Sequence, residues 1–410
     1  MVMNSNLIPR PFYLDRILKF KDLDVMKILS GIRRCGKSSL LKLIADKFIA
    51  DGRCDASQVH LHSFDELPFK DMTDKDLYAM LKAEISPAGR NCFFLDEIQS
   101  VGNWEQAVNS LMNEYNADIY VTGSNSRMLS SELSTFLTGR YVSFEIQTLS
   151  FEEYLRFRKA ASDLPDRHTA FHEYLRYGGF PIVWKNPQLD SETREILVEG
   201  IFDSVVYRDV VERYKLRNAQ MLERVIGYLA DNVGNTFSGK SISDFMKSEK
   251  RRLDVETVYS YLDKLEKFFI IGKCPRYDIH GKQLLKTQEK IYFADTALRF
   301  VRNAYSPDAL ASTLENAVYL ELRRRGYRVC TGKIGTGEID FIAEKQRNRL
   351  YIQIAQEISS KETAARETER LLAIPDNYPK FLLLGHEQAE GNFEGIKILS
   401  VEDFLLNKDY

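Results

Sequence analysis

The chain has 410 residues, with 57 lysines and arginines against 59 aspartates and glutamates and a formal net charge of −2 at pH 7. This length exceeds the roughly 100–200 residues of a usual domain, so we expect more than one folded unit. The balanced charge neither requires nor excludes a polyanionic partner. The five cysteines are spaced singly, which excludes a disulfide framework and paired zinc ligands. No stretch reaches the ~18 apolar residues of a membrane span, so we expect a cytoplasmic protein without membrane contact.

A glycine-rich loop lies between a predicted strand and a predicted helix near the start of the chain. Residues 25–29 predict a buried strand, residues 31–38 read G-I-R-R-C-G-K-S, and residues 39–44 have helical spacing. Such a P-loop curls backbone N–H groups around phosphates, so we expect bound ATP, with Lys37 on the β- and γ-phosphates and Ser38 on Mg²⁺. A chance glycine turn is the alternative. The residues expected to line the nucleotide are Gly31, Arg34, Cys35, Gly36, Lys37, Ser38 and Ser39.

An acidic pair follows the next apolar run. Residues 91–97 read N-C-F-F-L-D-E, a buried strand that ends in two carboxylates. This arrangement places an acid beside the metal at the carboxyl edge of a parallel sheet. We expect Asp96 to engage Mg²⁺ and Glu97 to polarise the attacking water as a general base. An acidic pair alone is equally typical of a helix N-cap, but the upstream P-loop favours the catalytic interpretation.

A third apolar run ends in small polar residues. Residues 117–125, A-D-I-Y-V-T-G-S-N, predict a buried strand from whose end Asn125 or Ser124 would sense the γ-phosphate. A simple turn is the alternative.

An arginine follows a glycine just before another predicted strand. Arg140, in the segment L-T-G-R-Y-V-S-F at 137–144, is a candidate for a side chain that reaches the γ-phosphate on a neighbouring subunit. An arginine in this role stabilises the charge that develops in phosphoryl transfer. An ordinary surface ion pair is the alternative.

These motifs together resemble one protein family. The P-loop, F-L-D-E-I-Q, V-T-G-S-N-S, L-T-G-R, L-S-F-E-E-Y and the segment Y-L-R-Y-G-G-F-P at 174–181 are similar to AAA-type (AAA+) ATPases of bacteria and archaea that carry a nuclease-like C-terminal domain. The resemblance implies an α/β fold with a parallel P-loop sheet and a helical lid. It also implies that Pro181 lies near the adenine at the hinge of the lid. From the residues alone, Gly-Gly-Phe-Pro is equally a helix stop.

The middle of the chain predicts helices and then a hairpin. Helical spacing over 150–218 suits the lid, three further helices are expected at 222–231, 241–247 and 255–269, and a hairpin is expected to turn at 280–282. This order is typical of a winged helix-turn-helix, which binds DNA or serves as a protein-interaction module. The residues expected to contact DNA are Lys250, Arg251, Arg252, Lys282 and Lys286.

The C-terminal region resembles the PD-(D/E)XK nuclease core, an α/β restriction-endonuclease-like domain. The resemblance rests on a helix that carries Glu315 and on strands that carry Asp340 and Gln353, and it implies carboxylates that hold Mg²⁺ beside a catalytic lysine. Alanine occupies the position of that lysine, at Ala355, so the domain is expected to be degenerate. Either Lys333 or Lys361 is a possible displaced donor, which leaves an active DNase as an alternative.

The sequence therefore predicts four regions: an ATPase core at 1–148, a lid at 149–218, a winged helix at 219–298 and a nuclease-like domain at 299–410. The leading hypothesis is an oligomeric ATPase, expected as a ring such as a hexamer, that remodels or translocates DNA, including branched DNA. The alternative is a nucleotide-controlled signalling or defence switch whose downstream domains bind protein or nucleic acid without translocation.

Overall fold

The computed structural model describes residues 7–87, 89–125, 139–186, 188–303, 305–335, 337–356, 361–385 and 390–409. The chain divides into two compact units. The first consists of Met1–Gln147 with Lys267–Phe269, and the second consists of Thr148–Glu266 with Ile270–Tyr410. The finer division into four regions stays a prediction.

The first unit contains a five-stranded parallel sheet in the order β2-β3-β4-β1-β5. Its strands are β1 Met26–Ser30, β2 Val59–Ser63, β3 Asn91–Asp96, β4 Ala117–Gly123 and β5 Tyr141–Glu145. Its helices are α1 Pro11–Leu18, α2 Lys37–Ala50, α3 Asp74–Ala83 and α4 Trp104–Glu114. Short 3₁₀ turns follow at Ala56–Gln58, Leu67–Phe69 and Ile98–Ser100.

The central strands of this sheet are apolar because helices cover both faces of a parallel sheet. Every residue of β1, β3 and β4 is buried. Lys27 is a charged residue inside β1, and its Nζ lies 2.5 Å from Asp118 Oδ1 on β4. Burial lowers the pKa of Lys27 and Asp118 opposes that shift, so this pair keeps a charged lysine within an otherwise apolar strand.

The second unit begins with helices. Ser150 caps the first of them through a capping box with Glu153, in which each side chain binds the other residue's backbone N–H. The α-helices are α5 Phe151–Ala160, α6 Arg167–Tyr177, α7 Pro181–Trp184, α8 Ser191–Asp203, α9 Ala219–Asp231, α10 Gly239–Ser248, α11 Val255–Lys267, α12 Leu310–Arg324, α13 Lys361–Leu372 and α14 Val401–Leu406. A π-helix spans Ser204–Glu212, and 3₁₀ turns span Thr296–Phe300 and Pro307–Ala309.

A mixed eight-stranded sheet completes the second unit, in the order β12-β13-β11-β10-β9-β8-β6-β7. Its strands are β6 Ile271–Asp278, β7 Gln283–Phe293, β8 Arg328–Ile334, β9 Gly337–Lys345, β10 Asn348–Ala355, β11 Lys380–Leu384, β12 Glu390–Phe393 and β13 Ile396–Ser400.

The helices expected in the middle of the chain are present as α9, α10 and α11, and the expected hairpin is formed by the antiparallel strands β6 and β7. This hairpin is not an isolated wing, because β6 pairs in parallel with β8 and so extends the C-terminal sheet. Assignment as a winged helix stays a prediction.

Among the described residues, no helix combines the length and apolar character needed to span a bilayer.

Candidate nucleotide-binding site

The loop between β1 and α2 has the backbone conformation that its glycines permit. Gly31 and Gly36 have φ values of 147° and 102°, a region that side chains disfavour. A Cβ atom on Gly31 would lie 2.1 Å from the carbonyl oxygen of Ile146. The loop therefore depends on glycine both for its turn and for its close approach to the neighbouring chain, while α2 begins at Lys37 with its N-terminus toward the loop.

Lys37 lies folded back on its own loop. Its Nζ donates to the carbonyl oxygens of Gly31 and Ile32 at 2.9 and 3.1 Å, and the residue is buried. Both acceptors are neutral main-chain groups, so the full charge of the ammonium remains available to an anion placed over the loop.

Asp96 ends β3 beside the start of α2. Its Oδ1 accepts a hydrogen bond of 2.5 Å from the Thr122 hydroxyl, and the Ser38 hydroxyl is also hydrogen-bonded to the carboxylate. Burial raises the pKa of Asp96 above its ordinary value, while the bonds from Thr122 and Ser38 oppose that shift. Ser38 and Asp96 thus come together as the sequence motifs predicted, and their hydroxyl and carboxylate oxygens are ligand types that Mg²⁺ prefers.

Glu97 follows Asp96 in a left-handed conformation, with φ 52° and ψ 40°. Its backbone N–H donates to the Thr122 hydroxyl at 2.9 Å, and its carboxylate accepts a bond from the Gln99 amide. Non-glycine residues with positive φ are uncommon and concentrate at functional sites. The Thr122 hydroxyl therefore joins the Asp96 carboxylate to the Glu97 backbone, and Thr122 is a site residue that the V-T-G-S-N motif contained without an assigned role.

Asn125 lies just beyond the end of β4, on the same edge of the sheet as Asp96. The residue is buried, and its Oδ1 has no hydrogen-bond partner among the described residues. A buried amide oxygen without a partner is costly unless a ligand or water satisfies it. Ser124 accepts a weak bond of 3.4 Å from Gln99, so Asn125 is the better candidate of the two for contact with a bound group.

Arg10 is a second residue whose position the sequence analysis did not anticipate. The residue is buried, and its guanidinium donates to the carbonyl oxygens of Cys35 and Gln147, each at 2.9 Å. The arginine therefore fixes the main chain of the P-loop relative to the end of the first unit. No motif surrounds Arg10 in the sequence, and only the contact reveals its role.

Arg140 lies at the opposite edge of its own sheet from the P-loop. Its backbone oxygen accepts from Met26 N at the start of β1, whereas the P-loop follows the end of that strand, roughly 16 Å away at ~3.3 Å per residue. The guanidinium pairs with Asp24 and donates to Asn113 Oδ1 at 2.6 Å. Arg140 therefore has no place in the nucleotide site of its own chain, and action on another subunit stays a prediction.

Pro181 belongs to the second unit, where it begins α7. The preceding glycines have a packing explanation: a Cβ on Gly178 would lie 1.7 Å from Asp295 Oδ1, and one on Gly179 would lie 2.3 Å from the carbonyl oxygen of Leu149. Gly179 N also donates to Asp295 Oδ2 at 2.8 Å. The Gly-Gly-Phe-Pro segment is thus required for local packing, and the adenine contact of Pro181 stays a prediction.

The residues predicted to bind DNA lie at two places in the second unit. Lys250 and Arg252 are exposed and Arg251 is half-buried in the connection between α10 and α11, and Lys282 is exposed at the tip of the β6–β7 hairpin. Lys286 lies on β7. Their contact with DNA stays a prediction.

The predicted nuclease-like residues do lie together. Glu315 on α12 and Asp340 on β9 share a contact with Lys290 of β7, and Gln353 of β10 accepts a hydrogen bond from Asp340 N at 3.3 Å. Lys290 is the lysine whose contacts with these carboxylates the structure shows, and the sequence analysis had named Lys333 and Lys361 instead.

The five-stranded parallel sheet, the glycine loop and the acids at its carboxyl edge define the class of the first unit, an AAA-type P-loop ATPase domain. A family model described as an AAA domain matches residues 24–155, and one described as a domain of unknown function matches residues 168–305. The Walker-type ATPase of Pyrococcus abyssi has a similar fold, with a TM-score of 0.51 and 16% identity over 71% of this chain and 95% of that chain.

The chain belongs to the family of an uncharacterised Haemophilus influenzae protein, to which it is 38% identical over 406 residues, 98% of this chain and 100% of that protein. An uncharacterised protein of Methanocaldococcus jannaschii is 30% identical over 366 residues, 85% of this chain and 78% of that protein.

Proposed function

We propose that the chain hydrolyses ATP in the P-loop site and uses the cycle to act on DNA bound by its second unit. The observation that carries the ATPase proposal is that Lys37 and the acids Asp96 and Glu97 lie at the same edge of the sheet, each with its own hydrogen-bond partners. Lys37 donates to neutral carbonyl oxygens, while the Asp96 carboxylate accepts from the Thr122 hydroxyl and the Glu97 carboxylate accepts from the Gln99 amide. Cationic and acidic groups are thus adjacent without neutralising each other, as phosphoryl transfer requires.

The roles follow from this geometry. Backbone N–H groups of the loop and the Lys37 ammonium would bind the β- and γ-phosphates, and Ser38 and Asp96 would hold Mg²⁺, which supplies charge neutralisation to the phosphates when bound. Glu97 would accept a proton from the attacking water, and Asn125 would donate or accept a hydrogen bond at the γ-phosphate. Glu97 has a left-handed backbone conformation, and its carboxylate bonds to the Gln99 amide, whereas the Asp96 carboxylate bonds to Thr122. We therefore assign the cation to Asp96 and the attacking water to Glu97.

The test of hydrolysis is phosphate release by the purified chain with ATP and Mg²⁺. Glu97→Gln should bind ATP and release almost no phosphate, whereas Glu114→Gln, at the end of α4, should match the wild type. Phosphate release by Glu97→Gln at the wild-type rate would remove Glu97 from the role of general base.

Contact with DNA is proposed for the basic loop between α10 and α11 and for the hairpin tip. Lys250, Arg252 and Lys282 are exposed, which suits phosphate contacts rather than base reading. Binding through such contacts is insensitive to sequence and weakens with salt.

A retention assay at low salt tests this contact. The double variant Lys250→Ala/Arg252→Ala should lower affinity for duplex DNA and flatten its salt dependence, while Lys70→Ala/Lys75→Ala, a double variant of exposed lysines in the first unit, should not. Equal DNA affinity and salt dependence in the two double variants would contradict the assignment. Single-stranded, duplex and four-way DNA should be compared for stimulation of ATP turnover.

An oligomer with shared sites is proposed from Arg140, which lies remote from the site of its own chain. If Arg140 completes the site of a neighbour, Arg140→Ala and Lys37→Ala are each inactive alone, and a mixture of the two regains turnover. Asp24→Ala breaks the same ion pair and is the matched control, because it should keep turnover. Failure of the mixture to regain activity, or full activity of Arg140→Ala alone, would exclude the shared site.

A nucleotide-controlled switch is the second candidate, and the surface of α11 favours it. Glu256, Asp263 and Glu266 are exposed there beside Val255 and Tyr259, which are 38% and 45% exposed. Lys273 pairs with Asp263 and Glu266, so its positive charge is balanced there and attracts DNA phosphates little, while the exposed apolar residues suit a protein partner. Continuous hydrolysis stimulated by DNA would support the motor, whereas about one retained nucleotide per chain with slow release would support the switch.

A further inference from the structure

A lysine and three carboxylates meet inside the second unit, at the site that resembles a nuclease centre. Lys290 comes from β7, Glu315 from α12, and Glu338 and Asp340 from β9. Lys290 Nζ lies 2.9 Å from Glu315 Oε1, 2.7 Å from Glu338 Oε1 and 3.7 Å from Asp340 Oδ1. The lysine side chain is 3% exposed, so water does not compete for these contacts.

The curvature of the sheet allows this meeting. In the sheet order, β6 and β8 separate β7 from β9, and three flat strand spacings of ~4.8 Å would exceed the reach of one lysine. The register shifts between Cys274 and Arg276 where β6 pairs with β7, and between Cys330 and Gly332 where β8 pairs with β9. Such irregularities increase bending and twist, and the sheet curls until Lys290 reaches both acids of β9.

Further bonds fix β7 against α12. The Tyr292 hydroxyl donates to Glu315 Oε1 at 2.5 Å, and the ring of Tyr292 stacks on Tyr319 with centroids 4.4 Å apart. Asn316 exchanges two bonds with the backbone of Phe293, each 2.9 Å long. Tyr292 and Phe293 both follow the lysine in β7, so these contacts fix the strand against α12 just after Lys290.

One oxygen atom each of Glu315, Asp340 and Gln353 is already engaged in a hydrogen bond. Glu315 Oε1 accepts from both Lys290 and Tyr292, and Asp340 Oδ2 accepts from Ile354 N at 2.8 Å. Gln353 Oε1 accepts from Asp340 N. Among the described residues, no group of three or more histidine, cysteine, aspartate or glutamate side chains could hold a metal ion. The residues present do not fit the magnesium site that the resemblance implies.

Charge leads to the same conclusion. The Lys290 ammonium is in ion-pair contact with all three carboxylates and is buried among them. A divalent ion placed among the same carboxylates would meet a buried like charge.

We propose that the Lys290 ammonium is the resident cation of this site, that it takes the place of a divalent metal ion, and that the C-terminal domain neither binds Mg²⁺ nor cleaves DNA through these carboxylates. The site then serves to hold the β6–β7 hairpin against α12 and β9. The proposal does not depend on ATP hydrolysis in the first unit.

If the proposal is correct, removal of the Lys290 ammonium should create a metal-binding site. Nucleotide-free protein is titrated with Mn²⁺, and free Mn²⁺ is followed by electron paramagnetic resonance. The wild type should show no uptake that depends on Asp340, and Lys290→Met should gain about one Mn²⁺ per chain. Lys290→Met/Asp340→Asn should lose that gain. Lys273→Met is the matched control, because Lys273 lies on β6 and pairs with Asp263 and Glu266 instead.

Three results would overturn the proposal. They are Mn²⁺ uptake by the wild type that Asp340→Asn abolishes, cleavage of plasmid DNA by the wild type that Asp340→Asn abolishes, and a folded Lys290→Met variant that gains no uptake. If Lys290→Met does not fold, Lys290→Gln takes its place, because the amide still donates to the carboxylates but carries no charge. The Mn²⁺ titration of the wild type tests the proposal without either Lys290 variant, because uptake that depends on Asp340 would contradict it.

Discussion

The two units of this chain each place a lysine among acids, with opposite results. In the first unit, Lys37 donates to main-chain carbonyl oxygens and leaves Asp96 to hydroxyl partners. In the second, Lys290 donates directly to carboxylates. A lysine on neutral acceptors keeps its charge for a ligand, whereas a lysine on carboxylates is neutralised internally. The comparison shows that the partner of the lysine decides whether such a site can take a charged ligand.

The largest effect on ATP turnover is expected from substitution of Glu97, the acid to which we assign the role of general base. Glu97→Gln should lower ATP turnover by roughly 10³-fold while ATP binding persists, because the amide cannot accept a proton from water. The corresponding change in the second unit, Asp340→Asn, should leave turnover unchanged. Steady-state phosphate release and nucleotide affinity check both, and a loss of turnover in Asp340→Asn would remove the contrast between the two sites.

The next largest effect is expected on ATP affinity, from substitution of Lys37. Lys37→Met should weaken ATP binding by at least ~100-fold, because two charge-assisted bonds to phosphate are lost at about 1.5–3 kcal/mol each. Lys42→Met, which alters an exposed lysine on the same helix, is the control. Calorimetric titration with a non-hydrolysable ATP analogue measures the affinities, and wild-type affinity in Lys37→Met would contradict the assigned loop.

A smaller effect is expected from the hydroxyl that organises the acids. Thr122→Val removes the bond to Asp96 and the acceptor for Glu97 N, so turnover should fall by about 10-fold, in line with the loss of one or two hydrogen bonds. Thr122→Ser keeps the hydroxyl and should retain most of the turnover. Equal loss in the two variants would contradict the role of the hydroxyl, because Thr122→Ser keeps that group.

The smallest effect on turnover is expected from a third buried carboxylate, that of Asp295. We assign it no lysine partner and no role in ligand binding. Burial raises the pKa of Asp295 to about 6, and the Thr148 hydroxyl and the backbone N–H groups of Gly179 and Ala297 oppose that shift. The folded chain thus holds this proton more tightly than the unfolded chain, so the contribution to stability is complete below pH ~4 and is lost as the pH rises through about 6.

Relative to Asp295→Asn, the free energy of unfolding of the wild type should therefore fall by about 1–3 kcal/mol between pH 4 and pH 7. Urea denaturation at several pH values measures this difference. Parallel profiles for the two proteins would contradict the raised pKa.

The first unit was predictable from the sequence because its signals are local. The glycine loop, the apolar strands and the polar residue at the end of each strand are contiguous motifs. Since the strands are parallel, their carboxyl ends meet at one edge, and this rule placed Asp96 and Asn125 together. The exact bounds of helices and strands differed by a few residues, because the ends of these elements are set by caps and tertiary contacts.

The residues that escaped prediction act across long separations in the sequence. Arg10 bonds to Gln147, 137 positions away, and Lys290 bonds to Glu315 from a strand that was interpreted only as a wing. Pairing of β6 with β8 brings Lys290 to the carboxylates, and strand pairing between distant segments has no local signature in a single sequence. Chemical motifs therefore identified two acids of the second site, Glu315 and Asp340, but neither Glu338 nor the lysine that pairs with all three.

The hydrogen bonds of Arg10 have a mechanical consequence. One guanidinium holds both Cys35 in the P-loop and Gln147, and Gln147 is the last residue before the chain enters the second unit. Ile146 N also donates to Ser30 O at 2.7 Å. Any displacement of the loop that preserves these bonds displaces the covalent junction with it. One side chain therefore ties the main chain of the glycine loop to the last residue of this segment of the first unit.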